Sequence, residues 1–323
     1  KKQTSRTEIM NLEKLTGHAA MFGANSMWGI MSPVSKMVMA GGAVTPIVMT
    51  NCRVLGAAVL FWTLSLFLKR DPVSWKDLLL LLLASQFAIV FNQGSFIFGV
   101  SLTSPIDASI ITTSLPILTL ILSAFFLKEP VTGRKITGIV FGATGAILLV
   151  FGGQQVSAGN GSNIWGDLLI LTAQLSFSIY LIFFRGLIGR YSPITIMKWM
   201  FTGSSLSLLP FTWDKMLATD WAALEWHFIA GIAFVVAGGT FISYLLMSVG
   251  QKRLRPTAVS IYNYVQPMAA SVVALMWGMD SFTLMKTVAV AFIFTGVFLV
   301  TQNRNRLQAE KAIEQHKKGE TPT

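Results

Sequence analysis

Ten apolar stretches, each long enough to cross a lipid bilayer, follow one another along almost the whole of this 323-residue chain. A transmembrane helix needs about 20 consecutive, mostly apolar residues. The sequence therefore predicts an all-α polytopic membrane protein with ten transmembrane helices, called spans 1 to 10 below. In chain order the spans cover residues 17–39, 44–68, 75–99, 104–127, 133–152, 164–187, 193–212, 226–250, 256–278 and 283–302.

The composition excludes the main soluble alternatives. Charged residues make up 12% of the chain and hydrophobic residues 53%, whereas soluble domains carry about 25% charged residues. A soluble enzyme, a disordered protein and a disulfide scaffold are therefore excluded, the last because Cys52 is the only cysteine. Span 1 does not read as a cleavable signal, since further spans follow it directly.

Lysine and arginine are distributed unequally between the two sides that the spans define. With the N-terminus in the cytoplasm, 20 of the 25 basic residues fall inside, three fall outside, and Arg53 and Lys198 lie within spans. The positive-inside rule predicts both termini in the cytoplasm of a multi-pass plasma-membrane protein, in the inner membrane of a bacterium. Because the basic charge is spread over several loops, nucleic acid is not predicted as a partner.

The second half of the chain matches the first after a shift of 151 residues. Five spans lie in each half, and an odd number inserts the halves in opposite directions. Inverted repeats are typical of transporters, although channels and intramembrane enzymes use them too. The predicted parts are an N-terminal tail (1–16), a first repeat (17–152), an external linker (153–163), a second repeat (164–302) and a C-terminal tail (303–323). The matching pairs are Pro105 and Pro256, Ser109 and Ser260, Pro116 and Pro267, Glu129 and Asp280, Thr132 and Thr283, Phe141 and Phe292, Thr144 and Thr295, and Gly145 and Gly296.

Several motifs resemble the drug/metabolite transporter superfamily, EamA type. Span 1 reads Trp-Gly-x-x-x-Pro-x-x-Lys over residues 28–36, and span 2 carries Arg53 followed by Gly56. Residues 103–150 resemble the most recognisable block of the family, with a Lys-Glu-x-x-Thr turn at 128–132. In the second copy, Asp-Ser-Phe-Thr at 280–283 replaces the expected Gly-Glu-x-x-Thr.

The resemblance covers about residues 17–302. It implies ten helices, two inverted five-helix repeats, and a central cavity lined by spans 1, 3, 4, 6, 8 and 9. It also implies efflux or exchange of small metabolites, often amino acids.

Polar side chains within the spans are expected to face the protein interior, because an unpaired polar group in lipid costs several kcal/mol. Amides offer both donors and acceptors, which suits polar or zwitterionic solutes, and aromatic rings would make the pocket mixed. The alternative is that these groups only hold helices together. The predicted substrate-binding residues are Asn25, Trp28, Asn92, Gln93, Phe96, Thr112, Gln174, Ser178, Tyr244, Asn263 and Tyr264.

Two prolines and two cations are assigned mechanical roles. Pro116 and Pro267 interrupt spans 4 and 9 at equivalent positions, which predicts hinges in both halves, a static kink being the alternative. Arg53 lies inside span 2, where a charge needs a partner or water, and it is predicted to be structural or gating. Lys36 ends span 1, either extending to the interface or contacting a gate.

Proton coupling has only weak candidates. Asp107 and His18 lie near span ends, where capping or interfacial solvation also explains them. The sequence contains no phosphate-binding loop for ATP, no clustered metal ligands and no arrangement of catalytic residues. No cofactor and no enzymatic activity are therefore predicted.

The sequence thus predicts a secondary transporter of small polar metabolites, most of all amino acids or related compounds. It would act as an exporter, uniporter or exchanger by alternating access, with a small-molecule solute and the lipid bilayer as partners. The alternative is a proton-coupled drug or cation efflux transporter. A glycine face on span 5 (Gly138, Gly142 and Gly145) allows close helix contact within one chain or between two, so a monomer and a homodimer both stay open.

Overall fold

The computed structural model describes residues 2–40, 42, 44–69, 71–102, 111–153, 164–276, 284–285 and 287–300. These residues form helices and the turns between them, with no strand among them. Four of the described helical segments are long and apolar enough to cross a membrane: Pro46–Leu66, Trp75–Phe96, Ile164–Phe183 and Trp226–Arg253. The prediction of an all-α polytopic membrane protein is confirmed at this level.

The helices follow the predicted spans closely. In chain order they are α1 (Lys2–Ala40), α2 (Pro46–Leu66), α3 (Trp75–Ser85), α4 (Asn92–Leu102), α5 (Leu115–Phe126), α6 (Gly133–Gly153), α7 (Ile164–Phe183), α8 (Arg185–Arg190), α9 (Pro193–Leu217), α10 (Trp226–Val236), α11 (Ser243–Arg253), α12 (Pro256–Ser260), α13 (Val265–Met276) and α14 (Thr287–Val300).

Two helices run at least five residues further than the sequence predicts. Helix α1 begins at Lys2, so the predicted N-terminal tail is helical and continuous with span 1. Helix α9 continues to Leu217, five residues beyond the predicted end of span 7, and contains Pro210.

Side-chain caps explain where several helices begin. Ser74 precedes α3, and its hydroxyl accepts a hydrogen bond from the amide of Asp77 over 3.2 Å. Ser192 precedes α9 and accepts from the amide of Thr195 over 3.2 Å, with Pro193 as the first helical residue. A capping hydroxyl satisfies an otherwise unpaired amide, and proline at the first position loses no hydrogen bond.

Local structure repeats at the same interval of 151 residues as the sequence. Between α3 and α4 lies a π-helical turn, Gln86–Phe91, and a second π-helical turn, Ala237–Ile242, lies between α10 and α11. All the bounds of α3, this turn and α4 recur 151 residues later in α10, the second turn and α11. The match that sequence reveals in spans 4, 5, 9 and 10 therefore extends, in backbone conformation, to spans 3 and 8.

Contacts between helices form a closed ring. Helix α1 packs against α11 and α13, while α7 packs against α4 and α5. Helix α5 contacts α12, and a hydrogen bond joins α4 to α11. The ring therefore joins spans 1, 8, 3, 6, 4 and 9, which are the six spans that the family resemblance places around a central cavity.

The other four spans pair outside this ring. Helix α2 packs along α9, and α6 crosses α14 through its glycines. A Cβ atom on Gly145 would lie 2.6 Å from the carbonyl oxygen of Ala289, and one on Gly296 would lie 2.6 Å from that of Gly138. Only glycine allows this approach, so Gly138 and Gly145 on span 5 are covered by span 10 of the same chain, while Gly142 faces Tyr264 of span 9.

Candidate functional site

Arg53 lies at the centre of a polar cluster that joins three of the helical segments. Its Nε donates a hydrogen bond to the hydroxyl of Thr240 over 3.1 Å, and its Nη1 donates to Oε1 of Gln93 over 3.3 Å. Thr240 belongs to the second π-helical turn, and Gln93 is the second residue after the first. The Arg53 guanidinium therefore ties α2 to spans 3 and 8 at or beside their π-helical turns, and its structural or gating role stays a prediction.

Aromatic rings surround Tyr244, the next residue of this cluster. The amide nitrogen of Gln93 donates to the hydroxyl of Tyr244 over 3.5 Å. The Tyr244 ring meets Trp28 edge-on at 5.4 Å and Phe201 edge-on at 5.1 Å between centroids. The polar cluster therefore has an apolar wall, as small-molecule sites usually have. Phe201, on α9, is a contact that the sequence reasoning missed.

A second group of amides connects spans 1, 9 and 4. The amide nitrogen of Gln266 donates to the side-chain oxygens of Asn25, over 2.9 Å, and of Asn263, over 2.6 Å. Asn263 in turn donates to the carbonyl of Thr112 over 3.3 Å. Helices α1 and α13 come close enough because Gly29 faces Gln266: a Cβ on Gly29 would lie 2.3 Å from the Gln266 carbonyl oxygen.

Both predicted hinge prolines directly follow breaks in their helices. Pro116 is the second residue of α5, after a turn at residues 113–114, and Pro267 is the third residue of α13, after a 3₁₀ turn at Ile261–Tyr264. A proline at position 116 cannot donate to the carbonyl of Thr112. Asn263 supplies the missing donor, as buried irregular backbone in a membrane requires.

Several residues meet their own counterparts in the other half of the chain. The Tyr264 hydroxyl donates to the carbonyl of Thr113 over 3.3 Å, and the rings of Phe141 and Phe292 stack at 5.1 Å. Together with Gln93–Tyr244 and Thr112–Asn263, these pairs are each separated by 151 residues.

The remaining predicted binding residues on spans 3 and 6 differ in their hydrogen bonds and in their burial. Asn92 donates to the carbonyl of Ala173 over 2.9 Å, and Ser178 lies 3.2 Å from the hydroxyl of Thr119. These contacts join helices. Gln174 is only 5% exposed and makes no side-chain hydrogen bond with the described part of the chain. Phe96 is half-buried.

The candidates for coupling and gating are described only in part. The Nδ1 atom of His18 lies 2.8 Å from the hydroxyl of Tyr262, so this side chain contacts span 9. Asp107 lies outside the described residues. Lys36 lies in α1, but its side chain is not among those described.

A buried ion pair at the turn between spans 4 and 5 was not predicted. The Nζ atom of Lys135 lies 3.0 Å from Oε2 of Glu129, and both residues are under 8% exposed. The Thr257 hydroxyl, at the start of span 9, donates to the same carboxylate oxygen over 3.0 Å. The Lys-Glu-x-x-Thr turn was the available signal, because it places Glu129 at a helix boundary.

Within the described residues, no group of three His, Cys, Asp or Glu side chains could hold a metal ion. The side chains of the ring are mainly amides, hydroxyls and aromatic rings, and the guanidinium of Arg53 reaches them from α2. Such groups bind and orient a polar solute through hydrogen bonds.

Comparisons with known proteins agree with this architecture. The model of the EamA-like transporter family matches the chain twice, at residues 15–151 and 164–302. A solved crystal structure superimposes with a TM-score of 0.74, at 18% sequence identity, over 92% of this chain and 99% of the other. At that identity the likeness concerns the fold.

Curated relatives match most of this chain, and several of them are named as transporters. An uncharacterized transporter of Archaeoglobus fulgidus is 25% identical over 260 residues, covering 80% of this chain and 90% of its own. An uncharacterized inner membrane transporter of Salmonella typhimurium is 22% identical, covering 87% of this chain and 93% of its own length. A WAT1-related protein of Arabidopsis thaliana is 20% identical, covering 92% of this chain and 87% of its own length.

Proposed function

The chain belongs to the EamA-like transporter family, and we propose that it is a secondary transporter of small polar metabolites, amino acids or related compounds first. It moves them across the plasma membrane by alternating access, as an exporter, uniporter or exchanger. In this proposal ten helices form two inverted five-helix repeats around a central site, with both termini in the cytoplasm.

One observation carries the proposal: several residues 151 positions apart contact each other where the two halves of the chain meet. Gln93 pairs with Tyr244, Thr112 with Asn263, and Phe141 with Phe292. A residue can meet its own counterpart only near a two-fold axis, just as in an isologous dimer interface. Two halves that meet in this way can exchange inward-facing and outward-facing shapes about one site.

The chemistry of the central residues supports a polar solute. Asn25, Asn263 and Gln266 form a hydrogen-bonded amide group, and Gln174 brings an amide without a described partner. Trp28 adds an aromatic surface beside them. Such a site offers donors, acceptors and an apolar wall, which a small zwitterion or polar metabolite requires.

The test is counterflow in proteoliposomes loaded with a mixed amino-acid pool, measured with and without a pH gradient. We expect saturable counterflow of labelled amino acids that does not depend on the gradient. No flux of any amino acid, from protein shown to be folded, would overturn the amino-acid assignment. Acceleration by the gradient, lost in Asp107→Asn or His18→Gln, would instead support proton-coupled drug or cation efflux.

A further inference from the structure

The guanidinium of Arg53 is a membrane-embedded charge whose described partners are all neutral. Arg53 lies seven residues after Pro46, about 10 Å into α2 at 1.5 Å per residue. Thr240 and Gln93 accept its two hydrogen bonds, and no carboxylate of the described residues pairs with it. A charge at this depth requires a counter-charge or a watery surround.

The hydrogen-bond directions leave donors of this guanidinium unused. The Thr240 hydroxyl donates its single hydrogen to the carbonyl of Val235 over 2.8 Å, so its oxygen can only accept from Arg53. Gln93 likewise accepts through Oε1. An arginine side chain carries five N–H donors, and Nη2 of Arg53 makes no hydrogen bond to a described residue.

A second unused donor lies next to the first. The hydroxyl oxygen of Tyr244 accepts from Nε2 of Gln93, and its own hydrogen has no acceptor among the described residues. Arg53 and Tyr244 thus bond to opposite ends of one side-chain amide. Both side chains therefore keep unused donors beside the same amide, and the rings of Trp28 and Phe201 pack against Tyr244.

We propose that Arg53 and Tyr244 bind the carboxylate of the transported solute. The substrate class is then small carboxylates, zwitterionic amino acids included, rather than cations or neutral polar compounds. A planar guanidinium binds a carboxylate through two parallel hydrogen bonds, and a bound carboxylate supplies the counter-charge that Arg53 lacks. This inference rests on the proposed transport function and specifies the solute at the same site.

A purely structural role for Arg53 makes a different prediction. If the guanidinium only ties α2 to spans 3 and 8, its loss weakens the binding of all solutes by the same factor. If it holds the carboxylate, its loss removes the preference for acids over their amides and leaves amide binding almost unchanged. The ratio of the two affinities therefore separates the roles.

The experiment measures binding to the purified full-length protein by ligand-dependent thermal stabilisation. The probes are free amino acids and short mono- and dicarboxylates, each compared with its carboxamide. The variants are Arg53→Gln and Tyr244→Phe. Lys198→Gln is the matched control, because Lys198 is also a cation within a span, but its Nζ lies 4.6 Å over the Trp62 ring and bonds to no residue of the cluster.

We expect the wild-type protein and Lys198→Gln to bind at least one acid about tenfold more tightly than its amide, as a charge-assisted hydrogen bond provides. Arg53→Gln should bring that ratio to about one, and Tyr244→Phe should lower it about threefold, as loss of one hydrogen bond predicts. If Arg53→Gln does not fold, the ratio of acid to amide affinity in Tyr244→Phe tests the inference instead. Equal affinity for acids and amides in the wild type, or an unchanged ratio in the variants, would overturn the inference.

Counterflow on the same panel keeps this inference separate from the proposed function. Acid-selective binding without counterflow of any solute would contradict transport and leave the carboxylate site in place. Counterflow that does not distinguish acids from amides would support transport and contradict the carboxylate site.

Discussion

Gln93 donates a hydrogen bond to Tyr244 over 3.5 Å, and the two residues are 151 positions apart, at equivalent places in the two halves of the chain. Gln93 also accepts from Arg53. The point where the halves meet is therefore the point where the embedded charge lies. A solute bound there touches both halves at once, so its binding can be coupled to their movement.

Trp28 is expected to contribute to solute binding through its face beside Tyr244. Trp28→Ala should raise the half-saturation concentration for counterflow about tenfold, because the edge-on ring contact and its apolar area are lost. Trp28→Phe should restore most of the loss. Trp75→Ala is the control, since Trp75 is 71% exposed and lies at the first residue of α3, remote in sequence from Gln93 and Tyr244. Equal kinetics in Trp28→Ala and the control would contradict this role.

If Pro116 is a hinge, its replacement should change the rate of transport without changing solute affinity. Pro116→Ala restores an amide that can bond to the Thr112 carbonyl, and the straighter helix should slow turnover about tenfold while changing solute affinity little, since conformational steps often limit turnover. The measurement is counterflow rate beside thermal stabilisation by the solute. Pro210→Ala, in α9 outside the ring, should leave both values unchanged. An unaltered rate in Pro116→Ala would show that the kink is static.

The Glu129–Lys135 pair should matter for stability far more than a surface pair. Glu129→Gln leaves Lys135 buried without its counter-charge, which costs about 3–5 kcal/mol. Thermal unfolding in detergent should show a large fall in the midpoint. Lys215→Gln breaks an exposed pair with Asp214 (3.3 Å) and should cost under about 1 kcal/mol. Similar midpoints for the two variants would contradict the buried pair.

Glycine at position 142 is expected to be required for the packing of span 9. A Cβ there would lie 2.2 Å from Cδ2 of Tyr264, so Gly142→Ala must displace the ring and should cost about 1–3 kcal/mol. Gly133→Ala, in the same helix, meets nothing within 4 Å and should not destabilise the protein. The check is the difference between their unfolding midpoints; a Gly142→Ala midpoint equal to that of Gly133→Ala would refute the contact.

The helices and their repetition were predictable because a bilayer imposes length and hydropathy on each span. The π-helical turns were not, since contacts from other helices support them. The Ser176 hydroxyl donates to the Phe87 carbonyl in the first turn over 2.8 Å, and Arg53 bonds to Thr240 in the second. No pattern within spans 3 and 8 encodes those partners.

Helical spacing predicted which faces of the spans are polar, but not the partners of the residues on those faces. Helical spacing selected both Asn92 and Gln93, which are adjacent in sequence. Asn92 bonds to α7, whereas Gln93 bonds to Arg53 and Tyr244. The spacing of residues on one helix indicates which face is polar, and only the packing of the neighbouring helices determines what that face meets.

The most direct test of the account asks whether one central position is reached from both sides of the membrane. Gln174→Cys in a Cys52→Ser background places a single thiol in the ring, and Leu206→Cys on α9, 67% exposed, is the lipid-facing control. Alternating access predicts that Gln174→Cys reacts with a membrane-impermeant thiol reagent from either side and that transported solute slows both reactions, while Leu206→Cys reacts from neither side. Reaction of Gln174→Cys from one side only, or from neither, would contradict alternating access at this site.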